Sequence, residues 1–555
     1  MIEQPEWFRD AVLYEIDVKR FYDSDGDGWG DFEGLRQRLD YLDRLGVDAI
    51  WLLPFYPSPM RDNGYDVADH YDVDDRLGTL EDFRAVIEAA HDRDIRVLID
   101  MIFNHTSDQH EWFQRAREDP DSKYREFYCW TDDPESAYST VNIFPEHEDG
   151  VWTYDEVADA HYFHQFYHYQ PDLDIANPQL QSEIEDIFEF WLDQGVDGFR
   201  VDAVAPMTFR KGEDGHELED PHALFRRLNQ TVREKKDDAV LLAEADDQPE
   251  LLDEYFGDGD EFDLQLNFVG NAHLVYALGI EDTWPLERLF DVLPYDVFEN
   301  GQWANFLRNF DELNLLKLPD DAFWHAKELF NPDDEDAWIF ERGHARRTAG
   351  IFENNPERIA MAHSLMFSLP GSPVILAGDE IGMGEDLSLD ERDPVRTPMQ
   401  WSDDRNAGFS TADTDDLILP VVDEGEFSYR EINAADQLGE PYSLYNRIAA
   451  IAHTRSVCSE LWKGEFGQVP VDADDVWVFR AAYEDTVLIT VHNLSGEYRE
   501  VTIDPDIPWG ATADLLGPGH YEFEEDGPMT FYLDGYDYLW VRGDNEGERV
   551  PLGQP

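Results

Sequence analysis

The chain has 555 residues and carries 124 acidic against 42 basic side chains, a formal net charge of −82. Such a field repels nucleic acids and anionic membrane surfaces, which argues against both as partners. The acids are spread along the whole chain among 42% hydrophobic residues, so we expect a folded protein of two or three domains rather than a disordered acidic tail.

We interpret the acidity as an adaptation to high salt, because dense ions screen the self-repulsion of a highly charged fold. The N-terminal MIEQPEWFRD has no basic region and no apolar region of the kind that signal peptides carry, and the sequence has no run of 18 apolar residues. Cys129 and Cys458 lie far apart and predict neither a disulfide framework nor a metal site. We therefore expect a cytoplasmic protein, and a homo-oligomer is compatible with these features.

Apolar strand-like segments alternate with amphipathic helical segments. Strands are predicted at 11–18, 49–55 and 96–105, with helices at 33–46 and 79–94 between them, and Thr79 is the expected N-cap of the second helix. Further strands are predicted at 198–204, 239–246, 263–269, 303–312 and 372–380. Eight strands with intervening helices predict an α/β fold, a parallel (β/α)8 TIM barrel. A doubly wound sheet is the alternative that periodicity does not exclude.

Two segments depart from a plain barrel. The connection after the third strand is long and rich in aromatic residues, which predicts a small inserted domain. Late in the chain, short alternating strands such as 475–494 and 530–543 predict an antiparallel β-sandwich. The predicted domains are a barrel at 1–104 and 173–455, the inserted domain at 105–172, a C-terminal β domain at 456–545 and a tail at 546–555.

Polar side chains stand at the ends of the predicted strands. The segment GFRVDAV places Arg200 and Asp202 on the same face of one strand, and Glu244 and Asp311 end later strands. In so acidic a chain, each acid alone is compatible with a helix cap or a solvated loop. As a set they are expected to meet, because barrel active sites lie at the C-terminal strand ends. Two carboxylates that flank a glycosidic bond are the working groups of a glycosidase.

Four segments, DMIFNH, GFRVDAV, LLAEAD and FLRNFDEL, resemble in order and spacing the sequence regions of the α-amylase superfamily, glycoside hydrolase family 13. The resemblance covers almost the whole chain and includes GSPVILAGDEIGM and QPDLD. Within the family, DSDGDGWGD, PFYPSPMRDNGYD, NHTSDQHEWF and VRTPMQWSDDRNAGFS look like trehalose synthases, and almost as much like α-glucosidases and oligo-1,6-glucosidases.

The resemblance implies a role for each strand-end residue. Asp202 would be the nucleophile, kept ionised by Arg200, since a nearby cation lowers the pKa of a carboxyl group. Glu244 would be the general acid and then the base, and Asp311 would support the transition state. Asp66 and Arg396 match the pair that grips the non-reducing glucose. The sugar-binding positions expected in addition are Tyr65, His105, Gln170 and Phe310.

Phe310 stands where the family pattern, Asn-His-Asp, has a histidine. The family histidine donates a hydrogen bond to sugar hydroxyls, which a phenyl ring cannot do. One interpretation is a weakened or retuned enzyme, and a second is that Phe310 packs on the sugar and changes which acceptor is tolerated. A third is sequence drift. We favour the first two and expect Phe310→His to change the rate or the products.

The segment DSDGDGWGD begins like an EF-hand loop, but its twelfth position is Gly34 rather than a glutamate. The alternative is an acidic surface turn. Clustered carboxylates need a cation, and the family carries Ca²⁺ at a matching loop, so the resemblance implies a structural calcium held by Asp23, Asp25, Asp27, Asp31 and the carbonyl of Trp29. A second family calcium site would involve Asn104 and Asp172, but AVAPMTFRK, the segment after Asp202, lacks the expected acidic ligand.

The leading hypothesis is a retaining enzyme similar to trehalose synthase, which interconverts the disaccharides maltose and trehalose through a covalent glucosyl-enzyme intermediate. The alternative is an α-glucosidase that hydrolyses small α-glucosides. Some family members are instead non-catalytic partners of membrane transporters, but those lose the catalytic acids, and this chain keeps all three.

Overall fold

The computed structural model describes residues 5–211, 216–218, 220–293, 300–330, 337–504, 511–517, 519, 521–523 and 527–544. Eight parallel strands form a closed barrel in which each strand pairs with the next along the chain and the eighth pairs with the first. The predicted TIM barrel is confirmed, and closure rules out the doubly wound sheet. The strands are Leu13–Ile16, Ala49–Leu52, Arg96–Met101, Gly198–Val201, Val240–Ala243, Leu264–Leu266, Gln302–Phe306 and Ser372–Leu376.

α-Helices surround the barrel. Thr79 caps the helix Leu80–His91 as predicted, through a capping box in which the Thr79 and Asp82 side chains bond each other's backbone N–H groups. Among the described residues, no helix is both long and apolar enough to cross a membrane. The other helices of two turns or more around the barrel are Phe32–Leu45, Pro178–Gln194, Ala223–Lys235, Phe268–Ile280, Trp284–Val292, Asp320–Phe330, Pro356–Ser368 and Leu444–Arg455.

The insertion after the third strand holds the helix Glu111–Glu118 and a three-stranded antiparallel sheet of Trp130–Thr131, Ala160–Phe163 and Trp152–Asp155. A single β-bridge between His105 and Asp172 joins its two ends, and a second, between Tyr128 and Leu173, joins its interior to the residue that follows it. The C-terminal part contains a five-stranded and a three-stranded sheet, both antiparallel, built from Glu465–Gln468, Val476–Tyr483, Thr486–Asn493, Tyr538–Asp544 and Ala511–Asp514, and from Arg499–Ile503, Met529–Leu533 and Tyr521–Phe523.

The barrel interior changes character along its axis. Towards the N-terminal ends of the strands, the interior is an apolar cluster that includes Leu13 and Leu98. Two residues further along the same strands, the buried side chains are Glu15 and Asp100, and Arg200 lies in register with Asp100. Burying charges in place of apolar groups costs stability, so this ionic layer has to be explained by what stands above it.

Candidate active site

The guanidinium of Arg200 is the centre of the site. Its Nη1 lies 2.6 Å from carboxylate oxygens of both Asp202 and Asp100, and its Nη2 lies 2.8 Å from Glu244 Oε1. The other oxygen of Glu244 accepts a hydrogen bond of 2.9 Å from the N–H of Ala203. Ala203 has φ 50°, a left-handed conformation that costs a non-glycine residue about 1 kcal/mol or more. The chain is thus strained beside the predicted nucleophile.

Environment separates the protonation states of the two carboxyl groups that share Arg200. Burial raises the pKa of Asp202 to about 6, although the Arg200 charge opposes the rise. Burial raises the pKa of Glu244 further, to about 8, because the charges of Asp202 and Asp311 partly offset Arg200. A hydrogen bond also joins the Asp202 and Glu244 side chains. At neutral pH an ionised Asp202 therefore faces a protonated Glu244, which is the division between a nucleophile and a general acid.

The opposite wall of the site is cationic. Asp311 Oδ1 lies 2.9 Å from Arg396 Nη2 and 3.2 Å from Arg392 Nη1. The next residue, Glu312, binds the Nε atoms of Arg392 and Arg342, each at 2.7 Å. Burial raises the pKa of Glu312, but these two guanidinium groups outweigh burial and hold it below its ordinary value. This wall carries fixed charge and orients the Asp311 carboxylate.

Two adjoining cavities share Glu244 and Asp311. The inner cavity contains the nucleophile candidate and is lined by Asp62, Tyr65, His105, Phe144, Phe166, Asp202, Glu244, Asp311 and Arg392. The outer cavity has a volume of about 440 Å³, and its wall includes Gln165, Asp246, Asp247, Asn314 and Arg342. An acid between two such cavities can protonate the oxygen that links two sugar rings, one in each cavity.

A group that we call the roof cluster lies along one side of the two cavities and consists of Phe144, Phe340, Arg342, Arg392 and Glu312. Phe144 and Arg392 line the inner cavity, and Glu312, Arg342 and Arg392 line the outer one. Phe144 belongs to the insertion and meets Phe340, on a barrel loop, edge to face at 5.0 Å. The guanidinium carbons of Arg342 and Arg392 lie 5.3–5.7 Å from the two ring centroids. Since Glu312 binds both guanidinium groups, one carboxylate links the inserted domain to the wall that orients Asp311.

The predicted sugar grip of Asp66 and Arg396 requires a correction. Asp62 and Arg392, each four residues earlier, line the inner cavity in their place. Asp66 is fully buried, where its carboxylate accepts hydrogen bonds from the Ser58 hydroxyl at 2.8 Å and from the Asp62 N–H at 3.2 Å, so it stabilises the loop. Arg396 stands one layer behind the cavity and acts through its contact with the strand-end aspartate.

The remaining predicted sugar-binding residues divide between the wall and its support. Tyr65 and His105 line the inner cavity. His105 Nε2 lies 3.2 Å from the Tyr65 carbonyl oxygen, and burial lowers the pKa of His105, which favours the neutral form of its ring. Gln170 is fully buried behind the wall and donates a hydrogen bond of 2.8 Å to Asp62. Gln170 therefore orients a cavity residue and does not line the cavity itself.

Phe310 is buried in the main core and lines neither cavity. Its backbone oxygen accepts a hydrogen bond of 2.8 Å from Arg396 Nε. The expectation that the ring packs on a sugar is therefore not met. The side chain is part of the packing under the strand end.

The acidic loop 23–31 brings three carboxylates together. One oxygen from each lies within 4.8 Å of the others in the group Asp23, Asp25 and Asp27. Three carboxylates in a glycine-containing loop are a donor set that Ca²⁺ accepts. Trp29 lies next to this group, and its backbone N–H donates a hydrogen bond of 2.8 Å to the Asp27 carboxylate. Asp31 does not join the group, because it caps the helix Phe32–Leu45 and accepts a bond of 2.6 Å from the N–H of Gly34.

The second predicted calcium site holds a lysine. The ammonium group of Lys211 lies 2.6 Å from Asp172 Oδ2 and donates a hydrogen bond to Asn104 Oδ1. All three side chains are buried. A positive charge built into the chain thus satisfies both expected ligands, and the expectation of a metal there is corrected. Lys211 ends the segment whose missing acid made this site doubtful in the sequence.

The family follows from comparison with known proteins. Residues 15–464 match the α-amylase family, described as alpha amylase, catalytic domain. The chain belongs to the α-amylase family, glycoside hydrolase family 13. It is 38% identical to a trehalose synthase of Pimelobacter sp. over 97% of the chain and 96% of that relative.

More distant relatives share the same length of chain. An oligo-1,6-glucosidase of Heyndrickxia coagulans is 29% identical over 95% of the chain and 98% of that relative. The crystal structure of the α-amylase from H. orenii superimposes with a TM-score of 0.77 at 26% identity, covering 97% of this chain and all of that one.

Sequence reasoning missed four residues that the structure brings to the site: Asp62, Arg392, Glu312 and Lys211. A signal was present for the first two. The segments MRDNGYD and ERDPVRTP each offer two candidates of the required charge four residues apart, and the structure selects the earlier one in both. Glu312 directly follows Asp311, and only the position of the two arginines shows its function.

Proposed function

We propose that this member of the α-amylase family interconverts maltose and trehalose through a covalent glucosyl-enzyme intermediate. The observation that carries the proposal is the pair Asp202 and Glu244 on one guanidinium, with opposite protonation states, at the junction of two roofed cavities. The end-to-end similarity to trehalose synthases supports the choice of reaction.

Bond cleavage needs one proton and one nucleophile. With the non-reducing glucose in the inner cavity, Glu244 donates its proton to the glycosidic oxygen while the bond between that oxygen and C1 breaks. A carboxylate oxygen of Asp202 attacks C1 from the opposite face and forms a β-glucosyl ester. Arg200 is already in contact with the attacking group, so little reorganisation is required, and Asp311 faces the positive charge that develops on the ring.

Rejoining the sugars reverses these events with a different hydroxyl group. The freed glucose stays in the outer cavity and turns so that its C1 hydroxyl faces the ester. Glu244, now ionised, removes the hydroxyl proton, the oxygen attacks C1, and the Asp202 carboxylate leaves. Two inversions give the α,α-1,1 bond of trehalose, and Glu244 regains its proton.

The test is to incubate the purified protein with maltose and separate trehalose from glucose. We expect trehalose as the main product, formation of maltose from trehalose, and little incorporation of added ¹³C-glucose, because the freed glucose stays in the cavity. Two molecules of glucose per maltose without trehalose would refute the isomerase and leave the α-glucosidase, which the similarity to oligo-1,6-glucosidases also supports.

We also propose a structural Ca²⁺ at Asp23, Asp25 and Asp27 and an adaptation to high salt. The convergence of the three carboxylates supports the first proposal, and the net charge of −82 supports the second. A chelator should lower the melting temperature, and Asp25→Asn should abolish that response. Dilution from 1 M to 0.1 M salt lengthens the screening distance from about 3 to about 10 Å, so the melting temperature should fall. An unchanged value in either experiment would refute the corresponding proposal.

A further inference from the structure

The outer cavity carries two carboxyl groups, those of Asp246 and Asp247, to which neither the proposed reaction nor the roof cluster gives a role. Both follow Glu244 on the chain, and neither lines the inner cavity. Asp247 is engaged with Tyr255, whose hydroxyl donates a hydrogen bond of 2.9 Å to Asp247 Oδ2. Asp246 is the more exposed of the two. Its function is therefore to be sought in the outer cavity.

Two partners fix the orientation of the Asp246 carboxylate. Its Oδ1 lies 2.6 Å from Lys317 Nζ, and its Oδ2 accepts a hydrogen bond of 3.2 Å from Asn314 Nδ2. The Asn314 amide is itself oriented, because its Oδ1 accepts a hydrogen bond of 3.0 Å from the N–H of Leu316. A carboxylate oxygen can accept two hydrogen bonds, so each oxygen of Asp246 can accept another one. The side chain is 42% exposed, which leaves it accessible to a ligand in the cavity.

Attachment of the neighbouring loops does not by itself account for this carboxylate. The ion pair does join the loops that follow the strands of Glu244 and Asp311. Lys317 Nζ, however, also donates a hydrogen bond of 2.6 Å to the carbonyl oxygen of Asp247, so the loops stay joined without the Asp246 side chain. A partly exposed ion pair also contributes little to stability. What the pair provides is a negative group held rigidly at the cavity wall.

We propose that Asp246 binds the second sugar of the substrate: its oriented carboxylate accepts hydrogen bonds from hydroxyl groups of the glucose in the outer cavity. Asp246 lines only this cavity, so it acts on the glucose that leaves and rejoins, and not on the one that forms the ester. The same hydrogen bonds retain the freed glucose near Glu244 while it turns. The proposal rests on the proposed function, which places the second glucose in this cavity.

The test compares two substrates that share the first sugar and differ in the second group. Maltose presents hydroxyl groups to the outer cavity, whereas 4-nitrophenyl α-glucoside presents an aryl ring that has none. We expect D246A and D246N to lower kcat/KM for maltose about tenfold relative to kcat/KM for the aryl glucoside, since a hydrogen bond to a charged group contributes about that factor. The ratio of glucose to trehalose should rise as well, because the freed glucose escapes more often.

A third variant and a control separate binding from loop support. K317M keeps the carboxylate but removes the cation that orients it, so the same change of preference should appear at about two- to threefold. Asp193 pairs with Lys235 at 2.8 Å, on the surface, and lines neither cavity. D193N should therefore leave the preference for maltose over the aryl glucoside unchanged.

The outcomes distinguish this proposal from the one on which it rests. Equal losses on both substrates in D246A and D246N would show that the ion pair only supports the loops, and no loss on maltose would show that the carboxylate does not touch the sugar. Either result overturns the proposal, and D246N decides if D246A does not fold. A wild type that cleaves both substrates without forming trehalose refutes the isomerase, while the comparison of substrates still tests Asp246. A wild type that cleaves neither refutes both proposals.

Discussion

The two walls of the site solve the problem of buried charge in opposite ways. On one wall a single guanidinium, that of Arg200, contacts three carboxyl groups, and the pKa of Glu244 is raised. On the other, three guanidinium groups surround two adjacent carboxylates, and the pKa of Glu312 is lowered. Where carboxyl groups outnumber cations, a carboxyl group such as Glu244 can gain and lose its proton near neutral pH. Where cations outnumber carboxyl groups, the charges and positions of the side chains are fixed. The difference assigns proton transfer to the first wall and orientation and closure to the second.

The strongest test of the first wall removes its working groups. Asp202→Asn and Glu244→Gln should each lower kcat by about 10³-fold or more while the melting temperature stays close to that of the wild type, since loss of a catalytic group of this kind removes several orders of magnitude in rate. Steady-state kinetics on maltose and a thermal melt check both statements. Near wild-type kcat in either variant would refute the assignment.

The pH profile tests the opposite protonation states of the two carboxyl groups on the first wall. Activity requires Glu244 protonated and Asp202 ionised, so it should fall above the pKa of Glu244, about 8, and below that of Asp202, about 6. The loss should approach tenfold per pH unit on each side, and the two limits belong to the coupled pair. Glu312→Gln is the control and should keep both limits of the profile, because the lowered pKa of Glu312 means that this carboxyl group does not titrate between pH 5 and 9. A flat profile between pH 5 and 9 would contradict this account.

The roof cluster tests the second wall. Glu312→Gln and Arg342→Gln each break the link between the inserted domain and the wall that orients Asp311, so water should enter more often while the glucosyl ester exists. We expect a several-fold rise in the ratio of glucose to trehalose, with a smaller loss of maltose consumption. Product analysis at equal conversion measures the ratio, and Arg405→Gln, in an exposed pair with Asp413, serves as a control. An unchanged ratio in both roof variants would mean that the cluster does not control water entry.

Much of the fold could be predicted from the sequence, because strand and helix periodicities and turn residues are local signals. The eight barrel strands and the Thr79 cap are examples. The sequence did not show which of two aspartates, four residues apart, faces the cavity. Both Asp62 and Asp66 follow the same strand, and only the packing of the loop decides between them. The cation at Asp172 was unpredictable for a similar reason: Lys211 is 39 residues away and reaches it only in the folded chain.

The smallest effect is expected at Phe310, which lies beside the second wall but faces the core. Phe310→His should leave kcat/KM and the ratio of trehalose to glucose nearly unchanged, because the ring lines neither cavity and the atom that binds Arg396 is the backbone carbonyl oxygen, which every residue has. Stability should fall by about 1–3 kcal/mol, the cost of a buried polar group without partners. Phe310→Leu keeps the site apolar and should cost less. A changed product ratio in Phe310→His but not in Phe310→Leu would show that an imidazole at this position reaches the sugar, and that the cationic wall takes part in choosing the acceptor.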